Sequence, residues 1–142
     1  MVGPEQVDDR VAVQRSAFPT STFTPQRWHE MSRTTAYRQA RCLVGYDDGN
    51  DAVAAVTVWS AGPGRPGLLE PMGVHREHRG HGYGTAICVA AAAVLRDLGA
   101  SSATVATASS NVGAVATYAK AGYRSPGEVT DLTLPRPPVR SD

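Results

Sequence analysis

The chain has 142 residues, 42% hydrophobic and 19% charged, which predicts one folded domain with its own core and excludes wholesale disorder. Fourteen basic against thirteen acidic residues give a net charge of +1, and Lys120 is the only lysine beside thirteen arginines. That balance lacks the positive excess of a nucleic-acid binder. Cys42 and Cys88 stand in apolar runs without Cys-x-x-Cys spacing and read as two reduced thiols of a cytoplasmic protein. The N-terminus has no basic-then-apolar run, so no signal peptide is expected, and the longest apolar run, Ala86 to Leu95, is too short to span a bilayer.

In chain order, Val7 to Phe18 carries apolar residues near helical spacing, with Asp8 and Asp9 in the first turn, where the helix dipole favours acids. Pro19 ends that helix. Thr24 followed by Pro25 is an N-cap with proline at the first helical position, opening a short helix with Trp28 and Met31. Ala40 to Tyr46 and Val53 to Ser60 are strands joined through the turn cluster Asp47-Asp48-Gly49-Asn50-Asp51. A third strand, Leu68 to Val74, contains Pro71 and Gly73, so it is bulged, at an edge, or unpaired on one side. A helix over Thr85 to Leu98, a strand over Ala103 to Ala108 and a helix over Asn111 to Ala121 follow. Tyr123 opens a last extended piece that reaches about Leu134. A single domain over residues 1–134 is expected, with 135–142 as a disordered tail because of its prolines. The fold class is α/β, one mixed sheet with helices packed on it.

The strongest local signal is Arg79-Gly80-His81-Gly82-Tyr83-Gly84, placed between a strand and a helix start. Glycines there let the backbone approach a ligand and adopt positive φ. Free N–H groups and the helix dipole then make an anion site. A P-loop is excluded because no lysine precedes Lys120. The dinucleotide fingerprint fails on its third glycine and on the missing acidic residue downstream. What remains is Arg-x-x-Gly-x-Gly, carried by Arg79, Gly82 and Gly84.

This loop resembles the pyrophosphate loop of the GNAT superfamily of acyl-CoA-dependent N-acyltransferases. A second motif agrees: Asn111, Ala114, Tyr118, Gly122 and Tyr123 match that superfamily's Asn-x-x-Ala-x-x-x-Tyr-x-x-x-Gly-aromatic helix. The resemblance covers about residues 40 to 124. It implies a mostly antiparallel central sheet with helices on both faces, here without the family's first strand and with a shortened C-terminal end. Glu70 to His75 also has the look of the second half of a tandem two-domain member. The sheet edge left open implies pairing with a second copy or a partner domain.

The resemblance further implies an acetyltransferase that moves an acetyl group from acetyl-CoA to a primary amine of a small molecule or peptide. The alternative is a catalytically weak acyl-CoA-binding or accessory domain. The amides of Gly80, Gly82, Gly84 and Thr85, aided by Arg79, would bind the pyrophosphate, with His81 and Tyr83 completing the loop. Met72, Gly73 and Val74 would pair with the pantetheine arm, and Asn111 would contact it from the other side. Tyr118 would protonate the departing thiolate, and the Val74 amide would receive the oxyanion. Glu70 is the candidate base: four residues before Val74, it shares that residue's face if the bulge is ignored. It also reads as a strand glutamate solvated or paired with Arg76. His75, His78 and His81 recur every third residue, but no ligand set is completed and no metal is expected. Trp28 and Trp59 read as core residues or as walls of an acceptor pocket.

Overall fold

The architecture follows from β2, whose residues alternate between two buried layers. In the computed structural model, which describes residues 2–130, the strands are β1 (Ala40–Tyr46), β2 (Ala52–Ser60), β3 (Pro66–Val74) and β4 (Ser102–Thr104). They form one sheet in the order β1-β2-β3-β4, antiparallel in the first two pairings and parallel in the last. The helices are α1 (Val7–Ala17), α2 (Pro25–Ser32), α3 (Tyr83–Asp97) and α4 (Val112–Lys120). Ala54, Val56 and Val58 of β2 pack with Leu69 of β3 and with Ile87, Ala91 and Leu95 of α3. On the opposite face Thr57 meets Arg10 of α1, and Val7, Val11, Trp28 and Cys42 form a second cluster. Helices therefore cover both faces, as the resemblance implied.

Local chemistry sets the helix starts. The Thr24 hydroxyl accepts from the Arg27 amide at 3.3 Å, with Pro25 opening α2. Ahead of α1 there is a short 3-10 turn, Pro4–Gln6, and among the described residues no strand precedes it. The Val2 amide donates to the Cys42 carbonyl at 2.9 Å, a single bond on the outer edge of β1.

Several boundaries differ from expectation, β3 opening at Pro66 rather than Leu68. α3 begins at Tyr83, two residues early, because Gly82 adopts φ +85° and serves as its N-cap. The strand expected over Ala103 to Ala108 is only Ser102–Thr104, paired with Pro66, Gly67 and Leu68. The ladder stops there because β3 bulges next: Val56 faces Met72 and Val58 faces Leu69, so Thr57 alone opposes Glu70 and Pro71. The extended piece expected from Tyr123 carries no strand through residue 130, where Pro126 lacks a donor and Gly127 takes φ +142°. Its remainder, and the tail 135–142, lie outside the described residues. Among the described residues no helix is long and apolar enough to cross a membrane.

Candidate active site

Beyond Leu68 the free edge of β3 borders a cleft of about 740 Å³. Ala17 and Phe18 close one side, and the glycine loop and α4 close the other. Glu70, Met72, Gly73 and Val74 line it from β3, and Asn111 and Tyr118 line it from the α4 region. Arg79, Gly80, Gly82, Tyr83, Gly84 and Thr85 complete the wall. One predicted residue stands apart. His81 is not in the lining; its Nδ1 lies 3.0 Å from the Arg79 carbonyl and its ring stacks on Tyr83.

The β3 register decides which backbone groups face the cleft. The His75 amide donates to the Val53 carbonyl at 2.8 Å. Antiparallel pairs alternate between bonded and non-bonded, so Gly73 turns its polar groups toward β2. Val74 and Met72 then direct theirs to the open edge. Gly73 admits α1: a Cβ there would meet the Ala17 Cβ at 2.5 Å.

At the loop, Gly80 has φ +84° and Gly82 φ +85°. The amides of Gly80, Gly82, Tyr83, Gly84 and Thr85 find no acceptor among the described residues, and the first helical bond runs from Ala86 to the Gly82 carbonyl at 3.0 Å. This is an unsatisfied donor array at a 15-residue helix start. Arg79 is anchored rather than free, since its Nη2 donates to the Ala17 carbonyl at 3.2 Å. It thereby ties the loop to α1.

Asn111 caps α4, its Oδ1 accepting from the Ala114 amide at 3.3 Å. Tyr118 is half-buried and its hydroxyl makes no hydrogen bond among the described residues. Burial pushes its pKa up, with Cys88 a smaller contribution in the same direction, so at neutral pH it keeps its proton.

Glu70 departs from the expectation in orientation. With Glu70 and Pro71 sharing the position opposite Thr57, the face count shifts by one, and Glu70 joins Leu68 and Trp59 on the α1 face. Val74 remains on the α3 face with Met72. The same-face argument thus fails, because it ignored the bulge. Glu70 still reaches the cleft from the α1 side, is exposed, and makes no ion pair with Arg76 among the described residues.

Two ionisable lining residues were not singled out as site residues. His78 borders the cleft with its Nδ1 3.7 Å from the Asp47 carboxylate. Lys120 brings the only lysine into the wall. Its helical spacing from Gly113, Ala116 and Thr117, which line the same wall, was the available signal.

The sequence model described as the Acetyltransferase (GNAT) family matches residues 8–123. Among solved structures, an aminoglycoside 6'-N-acetyltransferase from Acinetobacter haemolyticus superposes with TM-score 0.71 at 18% identity, covering 94% of each chain. Its counterpart from Acinetobacter baumannii gives TM-score 0.72 at 17% identity, again over 94% of each chain. A ribosomal-protein-alanine N-acetyltransferase from Brucella melitensis biovar Abortus gives 0.69 at 15% identity, over 94% of this chain and 96% of that one. No curated protein matches the sequence.

Proposed function

We propose, for a chain that belongs to the GNAT family of acetyltransferases, that it transfers the acetyl group of acetyl-CoA to a primary amine of a small molecule or peptide by direct attack. The observation that carries this reading is convergence. One cleft joins a free amide array, an open strand edge, an exposed carboxylate and a protonated tyrosine.

Acetyl-CoA fits those groups. The amides of Gly80, Gly82, Gly84 and Thr85 suit a pyrophosphate, and Arg79 contributes positive charge while holding α1. Met72 and Val74 offer outward backbone groups to the amides of the pantetheine arm, with Gly73 between them. Asn111 spends its oxygen on the helix cap and keeps its NH₂ to donate from the opposite wall. His81 acts on the loop's conformation through its carbonyl contacts, not as a wall of the cleft.

The acceptor reaches the site as an ammonium and must lose one proton before it attacks. Glu70, directly or through a water chain, takes that proton. The amine nitrogen then bonds to the thioester carbonyl carbon, and the developing oxyanion is met by the Val74 amide. Collapse breaks the carbon–sulfur bond. Tyr118 protonates the leaving thiolate, and the second proton leaves the nitrogen as the amide forms and, passed through water, restores the Tyr118 hydroxyl.

The test is calorimetric titration with acetyl-CoA and free CoA, followed by an amine screen with Glu70→Gln and Tyr118→Phe. Micromolar binding of both ligands, turnover in the wild type, and lost turnover with retained binding in the variants is the expected result. Binding without turnover on any amine establishes the acyl-CoA-binding alternative. No binding of either ligand overturns both.

A further inference from the structure

The face of the sheet that carries Glu70 also carries aromatic rings that the transfer chemistry leaves unused. Trp59 pairs with Leu68, and Glu70 lies two residues further along β3 on the same face, a diagonal neighbour within reach of a large side chain. The Trp59 indole N–H donates to the Glu70 carbonyl at 2.6 Å. That bond satisfies a carbonyl displaced from the ladder by the bulge and fixes the indole beside the carboxylate.

The indole is braced from behind. Tyr37 meets it edge-on, with ring centroids 6.1 Å apart at 81°, and Trp28 meets Tyr37 at 6.2 Å and 75°. Trp28 is buried, whereas Trp59 and Tyr37 are only half-buried and Glu70 is exposed. The row thus runs from the core out to solvent and ends at a carboxylate. Among the described residues Glu70 has no cationic partner. The other charge on this part of the face, Arg10, is 1% exposed, with Nη2 on the Thr57 hydroxyl and its guanidinium over the Phe23 ring. It is turned into the interior and leaves the carboxylate uncompensated at the surface.

We infer that Trp59, Tyr37 and Glu70 form a cation subsite on the α1 side of the sheet, where Glu70 alone of the three lines the cleft, and that it selects an organic ammonium over a neutral nucleophile. This rests on the acetyl transfer proposed above. An ammonium is attracted to the face of an indole and forms a charge-assisted hydrogen bond with a carboxylate. Glu70 therefore first holds the cation and then accepts its proton, while Trp59 holds the carbon next to the nitrogen. Trp59 and Tyr37 are specificity-determining residues in this arrangement and touch no part of the thioester.

The experiment compares benzylamine, a cation at neutral pH, with aniline, which has the same ring and is neutral there. Both are assayed as acceptors, and both are titrated calorimetrically into CoA-saturated protein. The wild type is expected to favour benzylamine in both measurements. Trp59→Leu should raise the benzylamine KM and Kd about 3- to 30-fold more than those of aniline, the range of a cation–π contact, with acetyl-CoA binding unchanged. Trp59→Phe keeps a ring face without the N–H and should give a smaller rise, which serves if the leucine variant fails to fold. Glu70→Gln should abolish the preference in the calorimetric arm, independently of turnover. Equal use of benzylamine and aniline, or a benzylamine Kd that neither Trp59 variant moves, overturns the inference while acetyl transfer stands. Absence of acetyl-CoA binding in the wild type instead removes the transfer reading beneath it.

Discussion

Gly84→Ala tests whether the donor cleft depends on the close approach of α3 and α4. A Cβ at residue 84 would lie 2.9 Å from Thr117 Cγ2 and 3.3 Å from Val74 Cγ2. The first distance requires movement. Thr117 is β-branched and its hydroxyl donates to the Gly113 carbonyl at 2.8 Å, so rotating the methyl away sacrifices that bond. Overpacking of this kind costs about 1–3 kcal/mol, whereas replacing a helical glycine by alanine contributes about 0.8–1 kcal/mol in favour. The net is a loss of about 1 kcal/mol, or roughly 4 °C in Tm for a domain of this size. Because Thr117 and Val74 both line the cleft, weaker acetyl-CoA binding should accompany it. Thr117→Ser removes the offending methyl and keeps the hydroxyl, so in that background Gly84→Ala should become stabilising by about 0.5–1 kcal/mol. Thermal unfolding by circular dichroism and calorimetric titration read both effects. A single variant as stable as the double, with unchanged binding, would refute the reasoning.

Tyr118→Phe should lower kcat about 100-fold or more with the acetyl-CoA Kd unchanged. The alkaline limb of the wild-type kcat profile should lie above the ordinary tyrosine value, since burial raises this hydroxyl, and should vanish in the variant. Burial pushes the Cys88 thiol from 9.0 up to about 11. The folded state thus holds its proton where the unfolded chain has lost it, and the stability this gives is complete below about pH 9 and lost as pH rises through about 11, by about 3 kcal/mol. Cys88→Ala should flatten that decline in urea unfolding across this window, and an unchanged slope would contradict the assignment. Arg10 is buried with no carboxylate partner among the described residues, its Nε unsatisfied and its own pKa lowered by burial. Arg10→Met should therefore be neutral or stabilising by about 1 kcal/mol in urea unfolding, and a loss above about 3 kcal/mol would show that the cation has a partner.

The helices and the glycine loop were legible because their signals are local. Thr24-Pro25 marks a cap by its own hydroxyl, and Gly82 at φ +85° is the conformation its missing side chain permits. What could not be read depends on partners distant in sequence. The length of β4 is set by where β3 leaves the ladder, not by the apolar run from Ala103 to Ala108. The role of Gly73 is to admit Ala17, 56 positions earlier, and the period-two count could not supply that. Glu70 was found as a residue but assigned to the wrong face, since Pro71 announces a bulge without saying which residues share the extra position.

That bulge links the fold to the chemistry. Without it, Leu69 and Met72 could not both face α3, because an even spacing is needed to keep one face in a regular strand. The added residue reconciles the two hydrophobic contacts and leaves Glu70 and Pro71 together opposite Thr57. Three consequences follow from the same register change. The ladder with β4 ends at Leu68, so a free edge borders the cleft. Val74 and Met72 direct backbone polar groups to that edge. Glu70 is placed on the α1 face beside Trp59, away from the face where α3 packs. The backbone groups proposed to hold the donor and the carboxylate proposed to meet the acceptor therefore come from one strand, the first at its free edge and the second on its α1 face. In a regular strand Glu70, four residues before Val74, would instead have turned to the face where α3 packs, away from the α1 side from which it now reaches the cleft.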